Sequence, residues 1–177
     1  KHHPMTPSPV DALVVGAGPA GSACAQLLAR AGWRVVLADQ HDFPRDKVCG
    51  DGLIPDAHAA FARLGVAAEV QAQAHTVTHV RCVAPGGGQV NVPGRLAVLP
   101  RLVLDDILRR AAVAAGAQWL PRARFESPLL DGAQNVVGAR LKVNGSHRDV
   151  SARWVVLATG AVPQALMAAG VCDQRAP

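Results

Sequence analysis

Aromatic residues are scarce in this sequence, which has no tyrosine, three tryptophans and three phenylalanines. Proteins that bind single-stranded nucleic acids stack bases on aromatic side chains, so such a platform is not expected. The net charge of +5 is spread along the chain. That spread suits solubility and attraction of a phosphate-bearing ligand better than duplex binding. We therefore expect no nucleic-acid partner.

Clustered metal ligands and paired cysteines are also missing. The histidines form no HExxH motif, and the four cysteines form no CxxC pair because they lie far apart, at Cys24, Cys49, Cys82 and Cys172. A metal site and a disulfide framework are therefore not expected, and a reducing cytoplasm is the expected location.

Long hydrophobic runs and several catalytic motifs are absent as well. No apolar run reaches the roughly eighteen residues that cross a bilayer, so any membrane contact is expected to be peripheral. The sequence has no GxSxG elbow, no Walker lysine and no paired-carboxylate signature. Any chemistry is therefore expected to come from a cofactor.

The apolar residues that are present amount to 50% of the chain, with a mean hydropathy of +0.17. These values are typical of a globular domain. The opening KHHP resembles the remnant of a histidine tag, so residues 1–9 are expected to be tag remnant and disordered N-terminus. Residues 10–170 are predicted to fold as one domain, and 171–177 to form a tail.

The first forty residues predict a βαβ unit. An apolar strand at 10–15 is followed by a glycine-rich turn at 16–21, a helix at 22–31 and a strand at 34–38. This order predicts two parallel strands joined by a right-handed crossover.

The remaining pattern predicts a Rossmann-like α/β fold with a parallel sheet, a three-stranded antiparallel meander and a small inserted hairpin at about 75–99. Asp56 is expected to cap a helix that Gly65 ends. The other expected elements are a hairpin around "PGGG", a helix at 100–115, a strand at 118–120, meander strands at 123–130, 136–143 and 147–150, a central strand at 154–158 covered on both faces, and a helix at 163–169.

The glycine-rich turn carries the strongest chemical signal. Gly16, Gly18 and Gly21 stand in the GxGxxG register, and Asp39 ends the next strand. Such glycines allow close approach to a pyrophosphate, and the acid accepts hydrogen bonds from a ribose diol. Alternatively, the glycines could simply form a tight turn and Asp39 could cap or solvate the strand end. That interpretation explains each feature separately but not the spacing between them. NAD and FAD both fit this signature.

The chain resembles the FAD-dependent geranylgeranyl reductase family, within the p-hydroxybenzoate hydroxylase-like flavoproteins. The resemblance rests on "GAGPAGSACAQLLARAGWRVVLAD", "FPRDKVCGDGL", "LPRLVLDDILRRAA" and "WVVLATGA". It implies a FAD-binding domain of the Rossmann-like kind, with FAD as the tightly held cofactor and NAD(P)H left open as the electron donor.

The same resemblance implies the site residues. Ala20 would lie by the pyrophosphate, Asp39 by the adenosine ribose, and the Ala123 backbone by the adenine edge. Arg101 would point at FAD from the start of the second long helix. The full expected set is Gly16, Gly18, Pro19, Ala20, Gly21, Asp39, Gln40, Lys47, Cys49, Gly50, Gly52, Arg101, Ala123, Thr159 and Gly160.

Several roles stay open at this point. Cys49 is the one catalytic candidate, although it also fits an inert wall residue. Arg45 and Lys47 would contact an anion or simply be solvated, and Asp46 and Asp51 could pair with them. Asp105 is expected to be structural, paired with Arg101 or Arg109. Thr159 replaces an aspartate of related hydroxylases, which weakens any claim that this chain handles NADPH as an aromatic hydroxylase does.

The expected function is the FAD-binding part of a flavin-dependent oxidoreductase that acts on a hydrophobic small molecule. The alternatives are a FAD-dependent monooxygenase or halogenase and a non-catalytic nucleotide-binding fragment. An NAD-dependent dehydrogenase is disfavoured, because its strand-helix alternation would continue where a meander is predicted. No downstream Gly-Asp segment is recognisable, so this chain is expected to be a fragment, inactive alone and holding FAD poorly.

Overall fold

The structure is a computed structural model that describes residues 8–49, 51–161 and 163–173. The predictions for residues 1–7, for Gly50 and for residues 174–177 lie outside the described residues. The chain divides into two compact units, of which unit 1 holds the described residues up to Phe43 and from Leu108 onward, and unit 2 holds those of Pro44–Ile107.

Nine strands and five helices are found among the described residues. In chain order they are β1 (Val10–Val15), α1 (Pro19–Arg30), β2 (Val35–Ala38), β3 (Gly52–Leu53), α2 (Pro55–Leu64), α3 (Ala67–Gln73), β4 (His75–Val83), β5 (Gln89–Val98), α4 (Arg101–Ala114), β6 (Gln118–Leu120), β7 (Ala123–Leu130), β8 (Val136–Val143), β9 (Ser146–Leu157) and α5 (Gln164–Ala168).

Unit 1 is built on a six-stranded sheet with the order β6-β2-β1-β9-β8-β7. Strands β6, β2, β1 and β9 run parallel to their neighbours, and β7, β8 and β9 form the antiparallel meander. The predicted fold class is therefore confirmed, including the parallel βαβ pair and the three-stranded meander.

The last strand corrects one prediction. We expected separate strands at 147–150 and 154–158, but β9 is one strand of 12 residues. Its first half pairs antiparallel with β8, and its second half pairs parallel with β1. The connecting "SAR" keeps the alternation of a strand, because Ala152 is buried while Ser151 and Arg153 are exposed.

The continuous apolar runs of β1 and β2 are explained by burial on both sheet faces. Leu13 and Val36 belong to one buried cluster, which includes Phe125 and Leu141 of the meander. The residues that alternate with these along β1 and β2 belong to a second cluster on the other face of the sheet, together with Ala25 of α1 and Ala112 of α4. The sheet thus has two aliphatic cores that fix the carboxyl ends of β1 and β2.

Coverage is less complete on β9 than predicted. Trp154 is paired with Ala12 in the register, and its side chain is 61% exposed.

Helix α1 also differs from its prediction, because it begins at Pro19 rather than at residue 22. Proline suits the first position of a helix, where its fixed φ is already helical and its missing N–H is not needed.

Unit 2 contains a three-stranded antiparallel sheet with the order β3-β5-β4. The predicted hairpin is confirmed as β4 and β5, whereas β3 lies in a stretch that looked irregular. Helix α2 ends at Gly65 with a positive φ of 72° as predicted, but Asp56 lies in its first turn without capping it, because Ile54 is the N-cap. Helix α3 was not predicted.

Candidate functional site

The glycine turn of unit 1 is packed too tightly for side chains. Gly16 has φ +104°, and a Cβ there would overlap the carbonyl oxygen of Ala158. A Cβ on Gly21 would overlap the carbonyl oxygen of Gly16. The contact with Ala158 brings the turn against the end of β9. Gly16 is therefore required by geometry and by its φ angle, and Gly21 by geometry alone.

The N-terminus of α1 opens directly from this turn. Gly18 is its N-cap residue and makes no side-chain capping bond, and the first turn contains no acidic residue. First-turn N–H groups without such partners attract anions, aided by the helix dipole. The buried Ser22 hydroxyl donates to the Ala17 carbonyl at 2.9 Å, a contact that sequence reasoning missed.

Asp39 lies at the end of β2 and is only 6% exposed. Its Oδ2 accepts a hydrogen bond from the backbone N–H of Ala17 in the glycine turn, at 2.8 Å. Its Oδ1 accepts from the backbone N–H of His41 at 2.9 Å and contacts the ring Nδ1 of His41 at 3.2 Å. The structure thus brings Asp39 and the glycine turn together, as the motif spacing predicted.

The segment after Asp39 is joined to the start of β7. The backbone N–H of Ala123 donates to the Asp39 carbonyl at 2.7 Å, and that of Arg122 donates to the His41 carbonyl at 3.3 Å. The Arg122 guanidinium pairs with Asp42 at 2.9 Å. The N–H of Ala123 therefore bonds within the protein, and this buried residue holds the acidic end of β2 in place.

The other predicted residues of unit 1 lie at the rim of this turn. Thr159 follows β9 and its Cα lies near the position that a Cβ on Gly16 would take. Gly160 has φ +73° and open space around it. Ala20 and Gln40 are both exposed, so their side chains are accessible from solvent.

Unit 2 contains a separate buried charge cluster centred on Asp105, whose side chain is 0% exposed. Arg101 donates to it twice, from Nε at 2.6 Å and from Nη2 at 2.8 Å. Arg45 adds a third contact at 3.1 Å. The Asp105 hydrogen bond is the main cause that raises the pKa of Arg101 above its usual range, and contact with Cys49 adds to it.

The expected pair of Asp105 with Arg101 is present in this cluster, and Arg45 joins it. Arg45 contacts Asp105 at 3.1 Å, and Arg109, which belongs to unit 1, packs over the ring of Trp119 at 5.4 Å. The pairing of Arg45 with Asp105 was missed, because sixty positions separate them in the sequence.

Asp51 joins the "FPRDKVCGDGL" stretch to the start of α4. Its Oδ1 accepts from the Arg101 backbone N–H at 3.2 Å, and its carbonyl accepts from Leu99 N–H at 3.0 Å. Gly52 lies in β3 opposite Val98. Lys47 and Cys49 are exposed, and the Lys47 backbone bonds to Asp46 at 2.8 Å.

Neither a metal-binding cluster nor a membrane-spanning helix is present among the described residues. Among residues 8–49, 51–161 and 163–173, no group of three His, Cys, Asp or Glu side chains is arranged to hold a metal ion. Within the same described residues, none of the helices has the length and apolar character needed to cross a membrane.

Comparison with known families gives a match that covers most of the chain. The family described as FAD binding domain matches residues 9–172. The chain belongs to this FAD-binding family. The glycine turn, the N-terminus of α1 and Asp39 all lie within the matched residues, and the predicted FAD cofactor agrees with the family.

Relatives support the predicted resemblance. The menaquinone reductase of Mycobacterium tuberculosis is 39% identical over 159 residues, covering 85% of this chain and 38% of that protein. The geranylgeranyl diphosphate reductase of Rhodobacter capsulatus is 35% identical over 171 residues, covering 87% of this chain and 38% of that protein. The resemblance to geranylgeranyl reductases is confirmed, and the chain spans less than half the length of these relatives.

A solved structure shows the same fold in another branch. The flavin-dependent brominase Bmp2 matches with a TM-score of 0.78 and 26% identity, covering 86% of this chain and 38% of that one. The fold is therefore shared by reductases and halogenating flavoproteins.

Proposed function

We propose that this chain is the FAD-binding part of a flavin-dependent oxidoreductase that acts on a hydrophobic small molecule. In unit 1, the N–H groups at the start of α1 would bind the pyrophosphate, and Asp39 would accept hydrogen bonds from the adenosine ribose. The observation that carries the proposal is the bond between Asp39 and the glycine turn, at 2.8 Å from Ala17.

The residues present fit this cofactor. The first turn of α1 has neither a capping side chain nor an acid to repel a phosphate. Two of the bonds to Asp39 come from backbone N–H groups, which carry no net charge, so they leave its negative charge for the ribose hydroxyls. Ala20 is exposed beside that helix start, which supports its expected place by the pyrophosphate.

The proposal extends to the residues of unit 2 only as expectations from the resemblance. Arg101, Lys47, Cys49 and Gly52 would contact FAD, with Arg101 the strongest candidate because a guanidinium binds phosphate or flavin oxygens well. Bound FAD would supply hydride transfer, and NAD(P)H would be the electron donor. The names of the relatives favour an isoprenoid or quinone substrate.

The adenosine half of the proposal can be tested on this chain with ADP. Calorimetry should detect ADP binding, and Asp39→Asn should weaken it about tenfold or more, because hydrogen bonds to a charged acceptor contribute about 1.5–3 kcal/mol. Asp149→Asn is the matched control, because this exposed meander carboxylate pairs with Arg140 instead. Equal ADP affinity of the Asp39 variant and wild type would contradict the proposal.

A second candidate is a FAD-dependent monooxygenase or halogenase, favoured by the likeness to the brominase. The two reactions differ in their need for oxygen. A full-length product that turns over its substrate without oxygen supports the reductase. One that requires oxygen, with or without halide, supports the second candidate.

A further inference from the structure

The acceptor positions of Asp39 are largely occupied within the protein. An ionised carboxylate offers about four such positions on its two oxygens. Three contacts already use them: Ala17 N–H at 2.8 Å, His41 N–H at 2.9 Å and the His41 ring at 3.2 Å. About one position is therefore left, whereas a ribose diol presents two hydroxyl groups.

Of these three donors, the imidazole alone can leave by side-chain rotation. The two backbone N–H groups are fixed by the glycine turn and by the chain after β2. The His41 side chain is 55% exposed, while that of Asp39 is only 8% exposed. Because a carboxylate only accepts, the ring nitrogen facing it must carry the proton. A half-exposed imidazole therefore lies against a nearly buried carboxylate.

We propose that His41 is a specificity-determining residue that limits the affinity of this site for adenosine nucleotides. Its imidazole holds the acceptor position that one ribose hydroxyl would take, so nucleotide binding must break the ring contact. The proposal rests on the proposed function of Asp39 as the ribose-binding acid. It concerns the ribose diol and not the phosphates.

The test compares His41→Ala with wild type by calorimetric titration with ADP. The ring contact is long, at 3.2 Å, and the imidazole is 55% exposed, so its removal should tighten ADP binding only about two- to fivefold. The matched control is His147→Ala, because His147 is 64% exposed and pairs with Glu126 at 2.7 Å on the meander. It should bind ADP as wild type does.

A second probe locates the effect on the hydroxyl groups. With 2′,3′-dideoxy-ADP, which lacks the diol, His41→Ala and wild type should bind with equal affinity. Circular dichroism checks the fold of each variant, and His41→Val replaces the alanine variant if that one unfolds.

The outcomes separate the two ideas. If wild type binds ADP and His41→Ala binds it equally or more weakly, the inference about His41 is overturned while the proposed function stands. An equal gain for ADP and its dideoxy analogue also overturns it, because the ring would then act by bulk. Absence of ADP binding in wild type and variant overturns the proposed function, and the inference with it.

Discussion

The two aspartates that are buried in the described part of the chain are held in different ways. Asp39 in unit 1 is bonded by the backbone N–H groups of Ala17 and His41 and by an exposed imidazole. Asp105 in unit 2 is bonded by the guanidinium groups of Arg101 and Arg45. Backbone N–H groups stabilise a carboxylate without cancelling its charge, whereas two guanidinium cations more than cancel it. The first arrangement suits ligand binding and the second suits structure.

The largest expected effect comes from removing the carboxylate of unit 2. Asp105→Ala would leave two guanidinium groups, each with a side chain only 13% exposed, without their shared counter-charge. Breaking a buried pair costs about 3–5 kcal/mol. Hydrogen exchange of the amides in β4, β5 and α2 should speed up accordingly. A loss of protection below about 1 kcal/mol would contradict the structural role.

Replacing all three charged residues of the Asp105 cluster with apolar ones separates the effect of charge on stability from the effect of packing. Buried ion pairs exchanged together for apolar residues of similar volume often cost little. The triple variant Arg45→Met, Arg101→Met, Asp105→Leu should therefore be more stable than Asp105→Ala. If the triple variant is the less stable one, the arginines have a structural role beyond neutralising Asp105.

The glycine turn should be destabilised by an added side-chain atom rather than by a change of charge. Gly21→Ala places a Cβ against the Gly16 carbonyl oxygen, which belongs to the backbone and cannot rotate away. Overpacking of this kind costs about 1–3 kcal/mol. The urea concentration at the midpoint of unfolding should therefore fall. Tryptophan fluorescence measures it, because all three tryptophans lie in unit 1.

Gly132→Ala is the matched control for this comparison. It lies in the turn before β8, where an added Cβ meets nothing within 4 Å. Its unfolding midpoint should stay close to that of wild type. Equal destabilisation by the two substitutions would show that loss of glycine, and not the contact with Gly16, is the cause.

Most of the strands and the long helices were predictable because local patterns specify them, whereas β3 was not. The βαβ unit follows from an apolar run, glycines and a second apolar run, and the hairpin follows from alternation around its glycine tip. Helix α3 lacked such signals, since it has 7 residues with Val70 as its buried side chain and no side-chain cap. The continuity of β9 depended on which strands flank it, a property of the tertiary fold.

The candidate site was predictable only in part, for a similar reason. The spacing of the GxGxxG motif and Asp39 predicted their meeting, which the fold brings about at the carboxyl ends of β1 and β2. The contact of His41 with Asp39 depends on a side-chain rotamer, and that of Arg45 with Asp105 on a pairing between distant segments. Neither leaves a pattern in the sequence.

The smallest expected effect comes from an aspartate-arginine pair on the surface. Arg140 donates to Asp149 at 2.7 and 2.8 Å, but the two side chains are 47% and 45% exposed. The hydrogen bond from Arg140 is the main cause that lowers the pKa of Asp149. Arg140→Met should raise that pKa toward about 3.9, the ordinary value of aspartate. Carboxyl-carbon NMR during an acid titration measures this change.

The sign of the accompanying stability effect follows from that shift. Because the folded-state pKa of Asp149 is depressed, the pair stabilises the fold above the unfolded-state pKa of about 3.9. This contribution is lost as the pH falls through the lower folded-state pKa. The stability difference between wild type and Arg140→Met should therefore be constant near neutral pH, shrink in acid and weaken in high salt. A difference as large as that of Asp105→Ala would show that burial is not what separates these two aspartate-arginine pairs.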